Sequence, residues 1–361
     1  MKRLKYILLL TLFVSCEEIY RPTIKEVEDL LVVEAVLISN RDMNSVKLYR
    51  ARRFYDTGSY LQVHGANVYL QDDIQNQIPC NESMEGVYTL SQQLDEARKY
   101  VLYIELDGET YVSELQAIPD VPVLDTLYGK YEYKVSIDGT ASSKEKIEKD
   151  YGFQLYSDIR YQGGTNHYRF DGKKILQYIE VISPDSPRPT LIYHWRTLYP
   201  TNSVNTGGPP EYSTNNNISK HPLEFFPQNC NKYLTGGNSD DSYMIFDGWI
   251  YIIYQYGLNE DTYNYYKKMK QQLDNEGKIF DPVYIQLKGN ITCQTNPKIK
   301  VLGNFEISTF AEWRYFITYT RYDSNFRLKR INYFYDIPNS GSIARIIPDF
   351  WESMYKQYPD D

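Results

Sequence analysis

Tyr100-Val101-Leu102-Tyr103-Ile104-Glu105-Leu106, followed by Asp107-Gly108 and then Thr110 to Leu115, is the stretch that decides the fold class. The first run alternates with a period of two, the repeat of a strand whose two faces meet different surroundings. Asp-Gly is a favoured tight hairpin connection, so the two runs predict an antiparallel pair. Upstream, the same kind of signal recurs at short intervals. Leu30 to Ile38 and Val46 to Phe54 predict strands, with Asp56-Thr57-Gly58 as the turn that follows. Val63 to Gln71 places Val68 and Leu70 on one face and Tyr69 on the other, and Gly86-Val87-Tyr88 opens another strand. Short strands separated by regular turn signals predict a β-sandwich.

Downstream, the pattern breaks at Ile118-Pro119-Asp120-Val121-Pro122, where two prolines lack the ladder donor a sheet interior needs. This sets a first domain at 28–118, a linker at 119–126 and a second domain at 127–361. The second domain is again rich in strands, predicted at Phe153 to Tyr161, Asn166 to Phe170, Ile175 to Val181, Thr190 to Thr197, Tyr243 to Gln255, Trp313 to Arg321 and Lys329 to Tyr335. Between Tyr199 and Ser219 runs a long loop rich in Asn, Thr, Gly and Pro, a length that marks either mobility or function. One amphipathic helix interrupts the strands. Asn259 is its expected N-cap, Glu260 and Asp261 lie in its first turn, and Gly277 closes it. Tyr263, Tyr266 and Leu273 share a face, read as core packing rather than a ligand box.

The amino terminus carries Lys2, Arg3 and Lys5, then an apolar run from Tyr6 to Val14 broken by Thr11. That run is far shorter than the roughly 20 residues needed to span a bilayer, so it reads as a signal peptide. Leu12-Phe13-Val14-Ser15-Cys16 resembles a bacterial lipobox. This implies a signal peptide over 1–15, acylation of Cys16 and a polar tether over 16–27. The alternative is an ordinary secretory signal with a chance cysteine. Glu17 and Glu18 directly after the cysteine resemble the surface-export signal of Bacteroidota lipoproteins; a solvated linker is the plainer reading. Each buried methylene contributes about 0.8 kcal/mol, so two or three acyl chains hold a protein at its membrane.

Composition narrows the function classes. The 361 residues carry a formal net charge of -8, and removing Lys2, Arg3 and Lys5 takes away three positive charges to leave -11. Such a chain has no electrostatic footprint for nucleic acid. The 37 tyrosines far exceed the 14 phenylalanines and 4 tryptophans, which favours half-buried strands and an exposed aromatic contact surface. Tyr193, Trp195, Tyr199 and Tyr212 are the candidate contacts, chosen for a loop context. Lipidation of Cys16 leaves Cys80, Cys230 and Cys293, and in an oxidising envelope Cys230 with Cys293 is the expected disulfide, both falling in the second half. With no C-x-x-C, a zinc or redox site is not expected.

Catalytic signatures are missing from the sequence. His64, His167, His194 and His221 form no H-E-x-x-H, and neither a G-x-S-x-G elbow nor a phosphate-cradling glycine loop occurs. Gly236 to Asp241 offers oxygen atoms without the spacing of a calcium loop, so no metal and no cofactor are expected. Asp125-Thr126-Leu127 resembles the O-glycosylation signal of exported Bacteroidota proteins, making Thr126 a candidate modification site.

Two sets of motifs are familiar together. The first is Leu31-Val32-Val33-Glu34-Ala35, Gly65-Ala66-Asn67-Val68, Gly86-Val87-Tyr88, Tyr111-Val112-Ser113 and Ile118-Pro119 to Leu124-Asp125. The second is Asn166-His167-Tyr168-Arg169, the helix with Tyr265-Tyr266, Ile279-Phe280-Asp281-Pro282, Gly289-Asn290-Ile291 and Val301 to Ser308. With the lipobox, their order resembles the Bacteroidota lipoprotein family known as domain of unknown function 4249. The resemblance implies an immunoglobulin-like first domain and an outer-membrane lipoprotein encoded beside TonB-dependent receptors. It supplies no catalytic residue. The expectation is therefore a non-enzymatic, lipid-anchored outer-membrane protein, exposed at the cell surface, that partners a TonB-dependent transporter. The alternative is a stand-alone adhesin that binds a glycan, peptide or protein.

Overall fold

In the computed structural model the described residues are 30–42, 44–51, 60–138, 146–182, 185, 190–200, 204–210, 215–228, 242–275 and 287–318. The first strands are β1 (Leu31–Ile38), β2 (Ser45–Arg50), β3 (Leu61–Gln62), β4 (Asn67–Asp72), β5 (Gln77–Met84), β6 (Val87–Leu90), β7 (Lys99–Leu106), β8 (Glu109–Ser113) and β9 (Gln116–Ala117). After the linker come β10 (Thr126–Asp138), β11 (Lys146–Ile159), β12 (Tyr168–Ile182), β13 (Thr190–Leu198), β14 (Asn205–Gly207), β15 (Ile218–Pro227) and β16 (Ser242–Gly257). Helix α1 (Glu260–Asn275) precedes β17 (Ile291–Cys293) and β18 (Val301–Thr318). The protein is mainly β, with one helix among the described residues.

The opening stretch folds as its period dictates. Tyr100, Leu102, Ile104 and Leu106 of β7 are buried and the residues between them are not. Asp107 and Gly108 adopt φ of 53° and 82°, the left-handed pair that a tight hairpin requires. β7 and β8 pair from Tyr103↔Val112 to Leu106↔Glu109. Around this hairpin, β1, β2, β4, β5 and β6 bury alternate residues in one core that includes Leu37, Val46, Leu70 and Ile104.

β18 organises the rest. Its first half runs parallel to β1, from Leu31↔Val301 to Ile38↔Ser308. Its second half runs antiparallel to β16, from Gly257↔Thr309 to Gly248↔Thr318. One strand of 18 residues, up to about 60 Å of chain at roughly 3.3 Å per residue, therefore belongs to the sheets of both halves. β17 also returns to the first sheet, where it pairs with β8. The linker falls where strand pairing lapses, but residues 291–293 and 301–308 complete the sheet that precedes it.

The second half is built as two layers. β13-β12-β16-β18 form one sheet, and β10-β11-β15 form a separate three-stranded sheet. Phe153, Leu155 and Phe226 from the small sheet meet Trp249, Tyr251, Ile253 and Ile317 from the large one. The interdomain seam is polar and specific. Thr309 Oγ1 donates to the Asp120 carbonyl at 2.7 Å, and the Asp120 amide donates to Thr165 Oγ1 at 2.9 Å. Asn259, expected as an N-cap, sends its side-chain amide to Gln116 Oε1 and the Ala117 carbonyl on β9. Its own carbonyl accepts the first helical bond from the Tyr263 amide.

Candidate functional site

Only some of the residues expected to form a site fall among the described ones. Cys16, Glu17, Glu18, Tyr212 and Cys230 lie outside the described residues, as does the Gly236 to Asp241 segment. Tyr193 and Trp195 were chosen for a loop context but stand within β13, paired with Ile179 and Gln177 of β12. Tyr199 follows that strand and is 63% exposed. Thr126 is exposed at the first position of β10. Cys293 is a buried free thiol, within 3.5 Å of Glu109 Oε2 and 3.4 Å of Thr295 Oγ1. It sits in β17, against the first sheet. Cys230, its expected disulfide partner, lies outside the described residues. Among the described residues no group of three or more His, Cys, Asp or Glu is arranged to hold a metal ion. No helix among them is long and apolar enough to cross a membrane.

The surface that does assemble lies on the hairpin of β10 and β11. Along β10, Leu127, Gly129, Tyr131, Tyr133 and Val135 occupy one face by the period of two. Across from them on β11 are Ser157, Leu155, Phe153, Tyr151 and Lys149. At the inner end this face is core: Leu127 packs against the second cluster, and Phe153 and Leu155 are buried in it. Gly129 leaves room for the Phe153 ring, because a Cβ there would fall 1.5 Å from Phe153 Cζ. At the outer end the same apolar face continues beyond the layer beneath it. Tyr131, Tyr133, Tyr151 and Val135 are each about half exposed.

These rings brace one another in the open. The Tyr131 and Tyr151 centroids are 6.4 Å apart and nearly parallel, and Tyr133 and Tyr151 are 5.6 Å apart and tilted. Lys149 Nζ lies 4.8 Å from the Tyr133 centroid, within cation–π range. The Tyr131 hydroxyl donates to Gln228 Oε1, which fixes the ring orientation. Sequence reasoning missed this surface, although the spacing Tyr131-x-Tyr133-x-Val135 signals it.

A second cluster is buried. Glu306, 1% exposed, accepts from the Tyr266 hydroxyl at 2.6 Å and lies 3.5 Å from Arg169 Nη2. The Arg169 guanidinium sits over the Tyr256 and Tyr266 rings, at 4.1 and 5.0 Å from their centroids. Burial, with the negative charge of Glu306, pushes the Tyr266 hydroxyl far above its ordinary range, so it stays a donor. The cluster ties α1, β12, β16 and β18 together, and so joins the Asn-His-Tyr-Arg, helix and β18 motifs at one point. The Tyr266 hydroxyl, the Glu306 carboxylate and Arg169 Nη2 face one another, while Arg169 Nε is buried without a hydrogen-bond partner among the described residues, and the chemistry is that of a buried brace.

The fold and these surfaces define a mainly β protein of two sheet systems threaded by one strand, with an exposed tyrosine face at one end. The chain belongs to the family described as Domain of unknown function (DUF4249), whose model matches residues 17–314. No match was found among curated proteins or solved structures.

Proposed function

We propose that this is a non-enzymatic outer-membrane lipoprotein, held at the cell surface through Cys16, that acts as accessory subunit of a TonB-dependent transporter. The observation that carries a binding role is the tyrosine face of β10 and β11, an apolar strand face left half exposed where it passes its core. Tyrosine gives large contact area at low cost in rotamer entropy and keeps a hydrogen-bonding tip. The lipobox, with Glu17 and Glu18, supports the anchor and its export. The family match starts at Glu17, directly after the lipobox cysteine, which is consistent with Cys16 as first mature residue. Anchoring raises the local concentration of the protein beside its partner, so a weak contact stays occupied.

Crosslinking in intact outer membranes, followed by affinity capture and mass spectrometry, tests this reading. A TonB-dependent barrel recovered with the native protein and lost with the Tyr131→Ser/Tyr133→Ser/Tyr151→Ser variant is the expected result. Recovery of no barrel with the native protein overturns it. The stacked, exposed rings also suit a glycan, so a stand-alone adhesin is the second reading; glycan-array binding lost in the same variant would favour it. Tyr199 remains a further candidate contact. Thr126, exposed beside Asp125, remains a candidate O-glycosylation site, which an intact mass without a hexose-bearing adduct would remove.

A further inference from the structure

The order of strands along the molecule fixes which end the anchor enters. β1 begins at Leu31, opposite Val301, and β18 runs parallel to it from there into the second sheet. The start of β1 is therefore the pole farthest from β16 and from the tyrosine face. Phe153, beside that face, stacks on Tyr315 of β18 at 6.1 Å. Val301 to Tyr315 is fourteen steps, so the tyrosine face lies up to roughly 45 Å along the strand from the pole.

The same pole carries exposed apolar groups. Leu31 pairs with Arg50 on β2, and Arg50 pairs with Leu61 on β3. Tyr60 and Leu61 are 67% and 54% exposed there. The Tyr60 ring is held by Tyr49, at 5.0 Å between centroids. Lys300, next to Val301, is exposed at this end, and Arg50 Nη2 bonds Asp107 Oδ2 at 3.0 Å across it. An aromatic ring with a polar tip, an aliphatic side chain and a lysine at the same end are groups that settle at a lipid–water interface.

We propose that this pole, where Tyr60 and Leu61 are exposed, rests on the lipid surface that holds the acylated Cys16, so that the tyrosine face stands at the membrane-distal end. The proposal rests on the lipid-anchored reading above. Fourteen residues separate Cys16 from Leu31, a reach of at most roughly 50 Å when fully extended, enough for contact. The exposed pair Tyr60 and Leu61 supplies the second point of attachment beside the first. It follows that a partner touching Tyr131, Tyr133 and Tyr151 does so through extracellular loops or as a soluble ligand, away from the bilayer.

The full-length acylated protein, reconstituted in phosphatidylethanolamine–phosphatidylglycerol vesicles that contain a nitroxide-labelled phospholipid, tests this. A fluorophore is placed on Gln62→Cys or on Val135→Cys, each in a Cys230→Ser background, with labelling of the buried Cys80 and Cys293 subtracted. Severalfold stronger quenching at position 62 than at position 135 is expected. Equal quenching, stronger quenching at 135, or none at either site on floated vesicles overturns the orientation while leaving the anchor intact. Protein that fails to float with the vesicles overturns the anchored reading, and the orientation with it. The Tyr60→Ser/Leu61→Ser variant should float unchanged but lose most of the quenching at 62; undiminished quenching would remove these two side chains from the contact.

Discussion

Asn290 and Phe305 exchange two hydrogen bonds of 2.8 Å: the Asn290 side-chain amide donates to the Phe305 carbonyl, and the Phe305 amide donates to Asn290 Oδ1. The pair explains how β18 changes partners. Among the described residues, 301–308 pair along one edge with β1, and β16 begins to pair on the other edge at Thr309. Asn290 completes the vacant edge with a side chain. Asn40 does the same past Ser308, where β1 has ended: its amide donates to the Phe310 carbonyl and its Oδ1 accepts the Phe310 amide. Residues 305 and 310 differ in parity, so their backbone groups point to opposite edges.

Asn290 is buried and Asn40 exposed, so their losses should differ. Leaving a buried donor or acceptor unsatisfied costs about 1–3 kcal/mol. Asn290→Ala should therefore destabilise by about 2–4 kcal/mol, whereas water can replace Asn40 in Asn40→Ala at about 1 kcal/mol or less. Urea unfolding followed by tyrosine and tryptophan fluorescence measures both, and equal losses would contradict the account.

Gly303 sits two residues before Phe305 on the same strand and cannot carry a side chain. Its φ is +99°, and a Cβ would lie 1.9 Å from the Val33 carbonyl oxygen. The close approach is what lets β18 lie against β1 at the register Val33↔Gly303. Strained backbone alone costs about 1–3 kcal/mol and a backbone clash adds to it, so Gly303→Ala should lose more than about 3 kcal/mol. Soluble yield and thermal melting of the variant check this; Gly108→Ala, at a positive φ with open space around it, is the control for strain without a clash.

The parts of the fold legible in the sequence are those where one face of a strand is dry and the other wet. β7 has that contrast and announces itself by alternation. β18 does not: Phe305, Glu306, Ile307, Ser308, Thr309 and Phe310 are all buried, because both faces are covered where the strand passes between sheets. A continuous buried run has no period, so only the end of this strand, from Trp313 on, is predicted from the sequence. The return of β17 to the first sheet was hidden for a different reason, since pairing between residues 111–113 and 291–293 leaves no local trace. At the candidate surface the fault lay in weighting. The tyrosines of β10 alternate plainly, but they follow directly on the prolines at 119 and 122, and the Asn- and Gly-rich loop from Tyr199 to Ser219 carries the stronger loop signal.

Arg169 and Glu306 form an ion pair inside the molecule, with side chains 16% and 1% exposed. Removing one partner strands the other, at a cost of about 3–5 kcal/mol. Glu306→Gln and Arg169→Met should each destabilise by that order, while Tyr266→Phe loses one bond to a charged acceptor, about 1.5–3 kcal/mol. In Arg169→Met/Glu306→Leu neither charge is left unpaired, so the double variant should be much less unstable than the sum of the two single losses. A double-mutant cycle from denaturant unfolding measures the coupling, and strict additivity would refute a direct pair.

His221 gives the fold a dependence on pH. It lies under α1, with its ring 5.0 Å from that of Phe170 and its Nε2 2.8 Å from Asn205 Oδ1. Asn205 donates its amide to the carbonyls of Pro222 and Leu223, so its oxygen is the acceptor and the imidazole Nε2–H donates. Burial pushes the His221 pKa down to about 4, and the charge of Lys270 on α1 adds to the shift. An unfolded histidine titrates near 6.5. Above that pH both states are neutral and the stability is whole. As pH falls from about 6.5 towards 4, the unfolded chain binds a proton that the folded protein refuses, and stability is lost. A shift of this size corresponds to at most roughly 3 kcal/mol over that window. Unfolding free energies measured from pH 7.5 to 4.5 should fall more steeply for the native protein than for His221→Gln, which has no proton to refuse; parallel curves would remove His221 as the source.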